Sequence, residues 1–175
     1  MAQNRILLDE SIVIDLRSLI SQGDFLDLAA CRGRGWKLVC FDDKAIYDSD
    51  ADRLAAAVQS AGHNSICAVV LSKLRSETTG YEAIEFPATK AGIEEWQGST
   101  DDDVLQTTLN TSIIFDKMVD FVVLRTGDVG YTIYAGAPAF LKMATDVDVT
   151  IADVYAIGRF VNDQALLKMY SPIVL

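Results

Sequence analysis

The stretch from Trp36 to Leu71, WKLVCFDDKAIYDSDADRLAAAVQSAGHNSICAVVL, decides the fold class. Trp36 to Phe41 is rich in aromatic and branched apolar side chains and stops at Asp42-Asp43, as a strand does. Asp50 offers an N-cap oxygen to the alanine-rich run Ala51 to Ala61. Leu54, Ala57, Val58 and Ala61 share one helical face, and Gly62 stops the helix. Asn64-Ser65 turns the chain into Ile66 to Leu71, a continuous apolar run of the kind found in strands covered on both faces. Strand, helix and strand in this order predict a right-handed crossover joining two parallel strands.

On the N-terminal side, Ile6 to Leu8 and Ile12 to Ile14 read as short apolar runs, with Leu16, Leu19 and Ile20 continuing at helical spacing as far as Gly23. A strand leading into a helix is expected there, then a short helix from Asp24 to Ala30 that Gly33 and Gly35 end. On the C-terminal side, Tyr81 to Phe86 alternates apolar and acidic residues like a half-exposed strand. Thr89 to Gln97 is a candidate helix. Asp101-Asp102-Asp103 suit an N-cap and first turn ahead of Val104, Leu105, Thr108, Leu109, Ser112 and Ile113, which fall at helical spacing. Phe121 to Leu124 and Tyr131 to Ala135 predict an antiparallel hairpin around Gly127 and Gly130, with Asp128 at its tip. Tyr131 and Ile133 should face one side and Thr132 and Tyr134 the other. Pro138 opens a helix to about Ala144. A last helix is expected from Thr150, burying Ile151, Val154, Tyr155, Gly158, Val161, Ala165, Leu166 and Met169. Together these elements predict a single α/β or α+β domain over residues 1–175, with a mixed sheet of five or six strands packed by helices on at least one face.

Half of the 175 residues are hydrophobic, enough to bury a core without disulfides or metals. The longest apolar runs fall far short of the ~20 residues of a membrane-spanning helix. Met1 to Arg5 leads directly into Ile6-Leu7-Leu8 without the pattern of a secretory signal, so a cytoplasmic location is expected. Cys31, Cys40 and Cys67 lack a C-x-x-C spacing and read as reduced, mostly buried thiols.

The net charge of −10 is unevenly spread. Residues 77–128 hold eleven acids against three bases, Lys90, Lys117 and Arg125. A field of this sign repels nucleic acid and anionic membranes and steers basic proteins inward. It also keeps a protein soluble without any partner.

Few residues suit catalysis. His63 is the lone histidine, in Gly62-His63-Asn64 at a helix-to-strand handover, where a favourable interaction with the helix dipole accounts for it. A tetrahedral zinc site built on it would need carboxylates in most positions. Asp42-Asp43, with Asp48 and Asp50 nearby, stands at a strand end where open sheets bind ligands and where magnesium is gathered. Neighbouring strand residues point to opposite faces, however. Cys31-Arg32-Gly33-Arg34-Gly35-Trp36-Lys37 is a basic glycine turn without the third glycine of a phosphate-binding loop. No cofactor and no metal is called for by any motif.

Trp96 stands apart because it follows Glu94 and Glu95 inside the acidic segment. As an exposed aromatic anchor ringed by carboxylates, it would centre a protein interface. This composition, small and acidic with clustered carboxylates, is similar to that of bacterial immunity proteins that neutralise basic nuclease toxins. The resemblance implies carboxylates occupying the places that phosphates take in a toxin's cleft. The leading expectation is therefore an interaction protein that binds a basic protein partner through Glu82, Glu85, Glu94, Glu95, Trp96, Asp101, Asp102 and Asp103. The alternative is a small enzyme or ligand-binding domain with its site near Asp42, Asp43 and His63, which would need a deep pocket. The sequence leaves the oligomeric state open.

Overall fold

The structure is a computed structural model that describes residues 4–42, 45–75, 80–127 and 130–157. In chain order the elements are β1 (Asn4–Leu7), α1 (Glu10–Ser18), α2 (Leu28–Gly33), β2 (Lys37–Phe41), α3 (Asp48–Ser60), β3 (Ser65–Val70), α4 (Leu71–Arg75) and β4 (Glu82–Pro87). They continue with α5 (Lys90–Gln97), α6 (Asp102–Leu109), β5 (Ser112–Phe115), β6 (Phe121–Arg125), β7 (Thr132–Gly136), α7 (Pro138–Thr145) and β8 (Val154–Ile157).

The strands form one mixed sheet in the order β1-β4-β3-β5-β6-β7-β2-β8. Among the described strands β2 and β8 are the parallel neighbours, and every other neighbouring pair is antiparallel. Helices cover both faces. On one face Val13 and Leu16 of α1, Cys31 of α2 and Leu74 of α4 pack on Leu38, Cys67, Ile113, Val122 and Ile133. On the other, Leu54 and Val58 of α3, Ile93 and Trp96 of α5, Val104 of α6 and Leu141 of α7 pack on Val39, Ile66, Ile114, Val123 and Tyr134. This double cover explains why β3, β5, β6 and β7 are mostly apolar, each buried along almost its whole length.

The class is as expected, but the sheet has eight strands among the described residues rather than five or six. The unit running from β2 through α3 to β3 also differs in kind. Its two strands run in the same direction, as the ladder of antiparallel pairs between them requires, yet β7, β6 and β5 lie in between. Helix α3 therefore crosses the sheet instead of joining neighbours.

Two expected helical runs prove to be strands. The helix predicted through Ile113 ends at Leu109, where Asn110 turns extended and its side chain caps the Gln106 carbonyl. Ser112 to Phe115 then continues as β5. The predicted C-terminal helix is contradicted at its start, since Val154 to Ile157 forms β8. Val154 and Ala156 join one core and Tyr155 the other, a period of two. The remaining positions of that expected helix, Gly158 onwards, lie outside the described residues.

The short helix expected from Asp24 to Ala30 starts instead at Leu28, after an Asp27 N-cap, and runs through Gly33. Other local signals hold. Tyr131 and Ile133 face the α1 side, and Tyr134 the α3 side. Pro138 opens α7, and Gly130 takes a positive φ of 72° beside the hairpin tip. Asp50, expected as the N-cap of α3, falls instead within its first turn, because the helix starts at Asp48 behind Tyr47. All three cysteines are buried free thiols. Burial pushes Cys31 and Cys67 up to about 12 and raises Cys40 as well.

Candidate functional site

The acidic segment divides between surface and core. Trp96, expected as an exposed anchor, is instead fully buried. Its ring stacks on Phe86 with centroids 4.9 Å apart, and its Nε1 donates to Thr107 Oγ1 at 2.8 Å. The Arg125 guanidinium lies over the same ring at 5.0 Å. The amphipathic face of α5 accounts for this, because Gly92, Ile93 and Trp96 form its inward stripe and Glu95 falls opposite.

The expected contact carboxylates separate accordingly. Glu95 and Asp101 line an open cleft of about 530 Å³ with Arg5, Ile84, Gly98, Ser99, Thr100 and Val104. Asp102 and Asp103 follow in the first turn of α6, and Asp103 pairs with Arg5 across the cleft. Asp101 is the expected N-cap, accepting from the backbone of Asp103 and Val104. Glu82 is exposed on the sheet face of Ile84, two residues away along β4. Glu94 turns from this group and accepts from the Asp48 amide at 3.0 Å, with Lys90 beside it.

Glu85 is on the opposite sheet face, aligned with Cys67 in β3. Its Oε1 accepts from Ser65 Oγ at 2.6 Å and from Lys117 Nζ at 2.8 Å. Burial by itself would raise this carboxyl, but the hydrogen bonds from Lys117 and Ser65 and the Lys117 charge outweigh it. The net direction is down from the ordinary 4.5. The hydrogen bond to Glu85 in turn raises Lys117 against the opposing effect of burial. A carboxyl lowered on folding stabilises the native state above its ordinary range, and that contribution is lost as pH falls through the folded value. Glu85→Gln is therefore expected to be less stable than wild type at neutral pH, with the gap closing as pH is lowered from about 5 towards 3. Urea melts across that range check this. A gap that stays constant would show that the ion pair does not govern the effect.

The residues of the alternative site do not converge. Asp42 follows the C-terminal end of β2, whereas His63 precedes the N-terminal end of β3, and these parallel strands put the two residues at opposite ends of the sheet. Asp42 and Asp50 line a small cavity of about 60 Å³ with Phe41, Ala45, Thr132, Tyr134, Ala144 and Thr145. That volume holds a few waters, well below the ~300 Å³ or more of an organic-ligand pocket. Asp43 and Asp128 lie outside the described residues. The basic turn is also engaged: Arg32 and Lys37 bind Asp153 at 2.6 and 2.5 Å, and Arg34 reaches Asp15 and the Val119 carbonyl. These partners hold the Asp153 carboxyl below its ordinary range through hydrogen bonds from Lys37 and Arg32.

His63 has a well-defined local origin. Its amide donates to the Val58 carbonyl and that of Gly62 to Gln59, the paired bonds of a Schellman cap, with Gly62 at φ 90°. The cap delivers the imidazole to the β5–β6 turn, where it meets Asp116 and Asp120 rather than only the helix end. Asp116 is fully buried and organises that turn, accepting backbone hydrogen bonds from Met118, Asp120 and Phe121.

Comparison with protein-family models, curated proteins and solved structures finds no match to this chain. Among the described residues no helix is long and apolar enough to cross a membrane.

Proposed function

We propose that this chain is a binding module for a basic protein partner, an inhibitor or immunity-type protein, and that Glu82, Glu95, Asp101, Asp102 and Asp103 form its contact surface. The observation that carries the reading is one open cleft lined by Glu95 of α5 and by Asp101, the α6 N-cap, with Asp102 and Asp103 following in the first turn of α6. Arg5 is the one base among the described residues that line the cleft, and Asp103 already pairs with it. Such a rim presents like charges at a concave surface, which focuses the field and accelerates encounter with a cation-rich partner. The same field works against nucleic acid.

The expected footprint is smaller than the sequence suggested. Trp96 supports the rim from inside by packing α5 against Phe86, and Glu94 and Glu85 serve intramolecular contacts. Specificity then rests on the spacing of the α6 aspartates relative to Glu95, with Ile84 at the cleft wall. The 60 Å³ cavity at Asp42 favours this reading over a small-molecule site at that strand end.

The test begins with capture from the native cell at low salt, identification of the stoichiometric partner, and kinetics on the purified pair. Glu95→Lys combined with Asp102→Lys is expected to slow association by roughly tenfold or more while dissociation changes little, and added salt should erase most of the difference. Association unchanged by the double reversal would refute this surface assignment. Failure to capture any basic protein at low salt would count against the binding-module reading itself.

A further inference from the structure

At the end of the sheet where β3 begins, two carboxylate oxygens converge on one imidazole nitrogen. His63 Nε2 lies 3.2 Å from Asp120 Oδ2 and 3.4 Å from Asp116 Oδ2. All three ligand atoms lie within 4.8 Å of one another. An imidazole nitrogen carries one hydrogen or one lone pair. A single hydrogen shared between acceptors on two residues makes only a strained three-centre bond, and a lone pair is repelled by both. A cation seated between the three atoms satisfies all of them at once.

The base next in sequence does not supply it. Lys117 is directed to Glu85. Asp116 has a fully buried side chain, whose Oδ1 accepts from the amides of Asp120 and Phe121 and whose Oδ2 accepts from that of Met118. A carboxylate oxygen has room for a second partner, so Oδ2 retains capacity towards His63. Asp120 is 61 % exposed and leaves that side open to solvent.

The spacing matches coordination chemistry. Nitrogen and oxygen ligands bonded at ~2.0–2.2 Å to a tetrahedral zinc ion sit roughly 3.3–3.5 Å apart. The two His63 separations are already close to that value. We propose that His63, Asp116 and Asp120 form a zinc site, with Nε2 and two carboxylate oxygens as ligands and water in the fourth position. An imidazole in the set favours zinc over magnesium or calcium, which prefer oxygen ligands throughout. The site is largely preorganised, because the helix cap fixes the backbone at His63 and three backbone amides fix Asp116. It lies at the far end of the sheet from Asp42, and none of its ligands lines the acidic cleft. It therefore stands or falls independently of the partner-binding reading.

Zinc titration by calorimetry at pH 7.5 in a non-chelating buffer tests the site, with His63→Ala, Asp120→Asn and, as a control, Asp42→Asn. Wild type is expected to take one zinc per chain, and zinc should raise its melting temperature. His63→Ala and Asp120→Asn should each weaken binding by roughly tenfold to a hundredfold and abolish the thermal shift, while Asp42→Asn binds as wild type. The exposed position of Asp120 keeps the test open if His63→Ala fails to fold. No saturable uptake by wild type would show a histidine–carboxylate ion pair only and overturn the proposal. Equal uptake by wild type and Asp120→Asn would place the ion elsewhere and overturn it as well.

Discussion

Trp96→Ala is expected to cost about 3–5 kcal/mol of folding stability, the range for removing a large aromatic side chain from a packed core. The indole is fully buried, stacked on Phe86 and bonded through Nε1 to Thr107. Its loss opens a cavity between α5, α6 and the sheet, and removes the aromatic face beneath the buried Arg125 guanidinium. Both effects add to the lost transfer energy. Urea denaturation monitored by circular dichroism gives the midpoint shift. A loss below about 1 kcal/mol would mean that the site collapses around the smaller side chain. If partner binding at the acidic rim falls in the variant, refolded controls at low temperature separate lost packing from lost contact.

Gly92→Ala is expected to destabilise by about 2–3 kcal/mol, as over-packing against a rigid neighbour does. The substitution runs against the ordinary rule, under which alanine in a helix gains up to ~1 kcal/mol over glycine. Gly92 sits in the first turn of α5, its amide held by the Thr89 side chain. A Cβ there would meet the Pro87 carbonyl oxygen at 2.4 Å and the Pro87 carbonyl carbon at 3.2 Å. Those atoms are backbone at the end of β4, aligned with Ser65 of β3. Relief would require moving either the helix or the sheet edge, and the displacement would reach the cleft wall at Ile84 and Glu95. Thermal melting checks the sign. A higher melting temperature for the variant would show that α5 shifts freely on β4.

How much of this was legible in the sequence depended on the range of each signal. Punctuation residues act locally and several were read well: Gly62 stops α3, Pro138 starts α7, and Asp101 caps α6 through its own side chain, whereas Asp50 falls inside α3 and Gly33 inside α2. Periodicity failed where burial was two-sided. Ser112 to Phe115 is buried at every position, so a helical and a strand period fit equally well. Val154 to Ile157 was absorbed into a helical pattern although Val154 and Tyr155 occupy opposite faces. Charge told of a segment but not of its sides, so Glu82 and Glu85, three positions apart on one strand, were grouped although they face opposite ways. Trp96 was placed outside because its neighbours are acidic, whereas the pairing of Ile93 with Trp96 marks the buried stripe. The partners of His63 stand more than fifty positions away, and only the placement of the β5–β6 turn against the helix cap brings them together.

The position of β2 between β7 and β8 has a consequence for the growing chain. Residues 37–41 are made well before the described strands that hydrogen-bond to them, which come from residues 132–136 and 154–157. A nascent chain that ends before residue 132 holds an apolar segment with no ladder to join. The hairpins of β3 with β4 and of β5 with β6 can zip up locally in the meantime. Closure of the sheet is thus deferred until residues 132–157 have been made, and any fragment meant to fold on its own has to keep β2 together with β7 and β8.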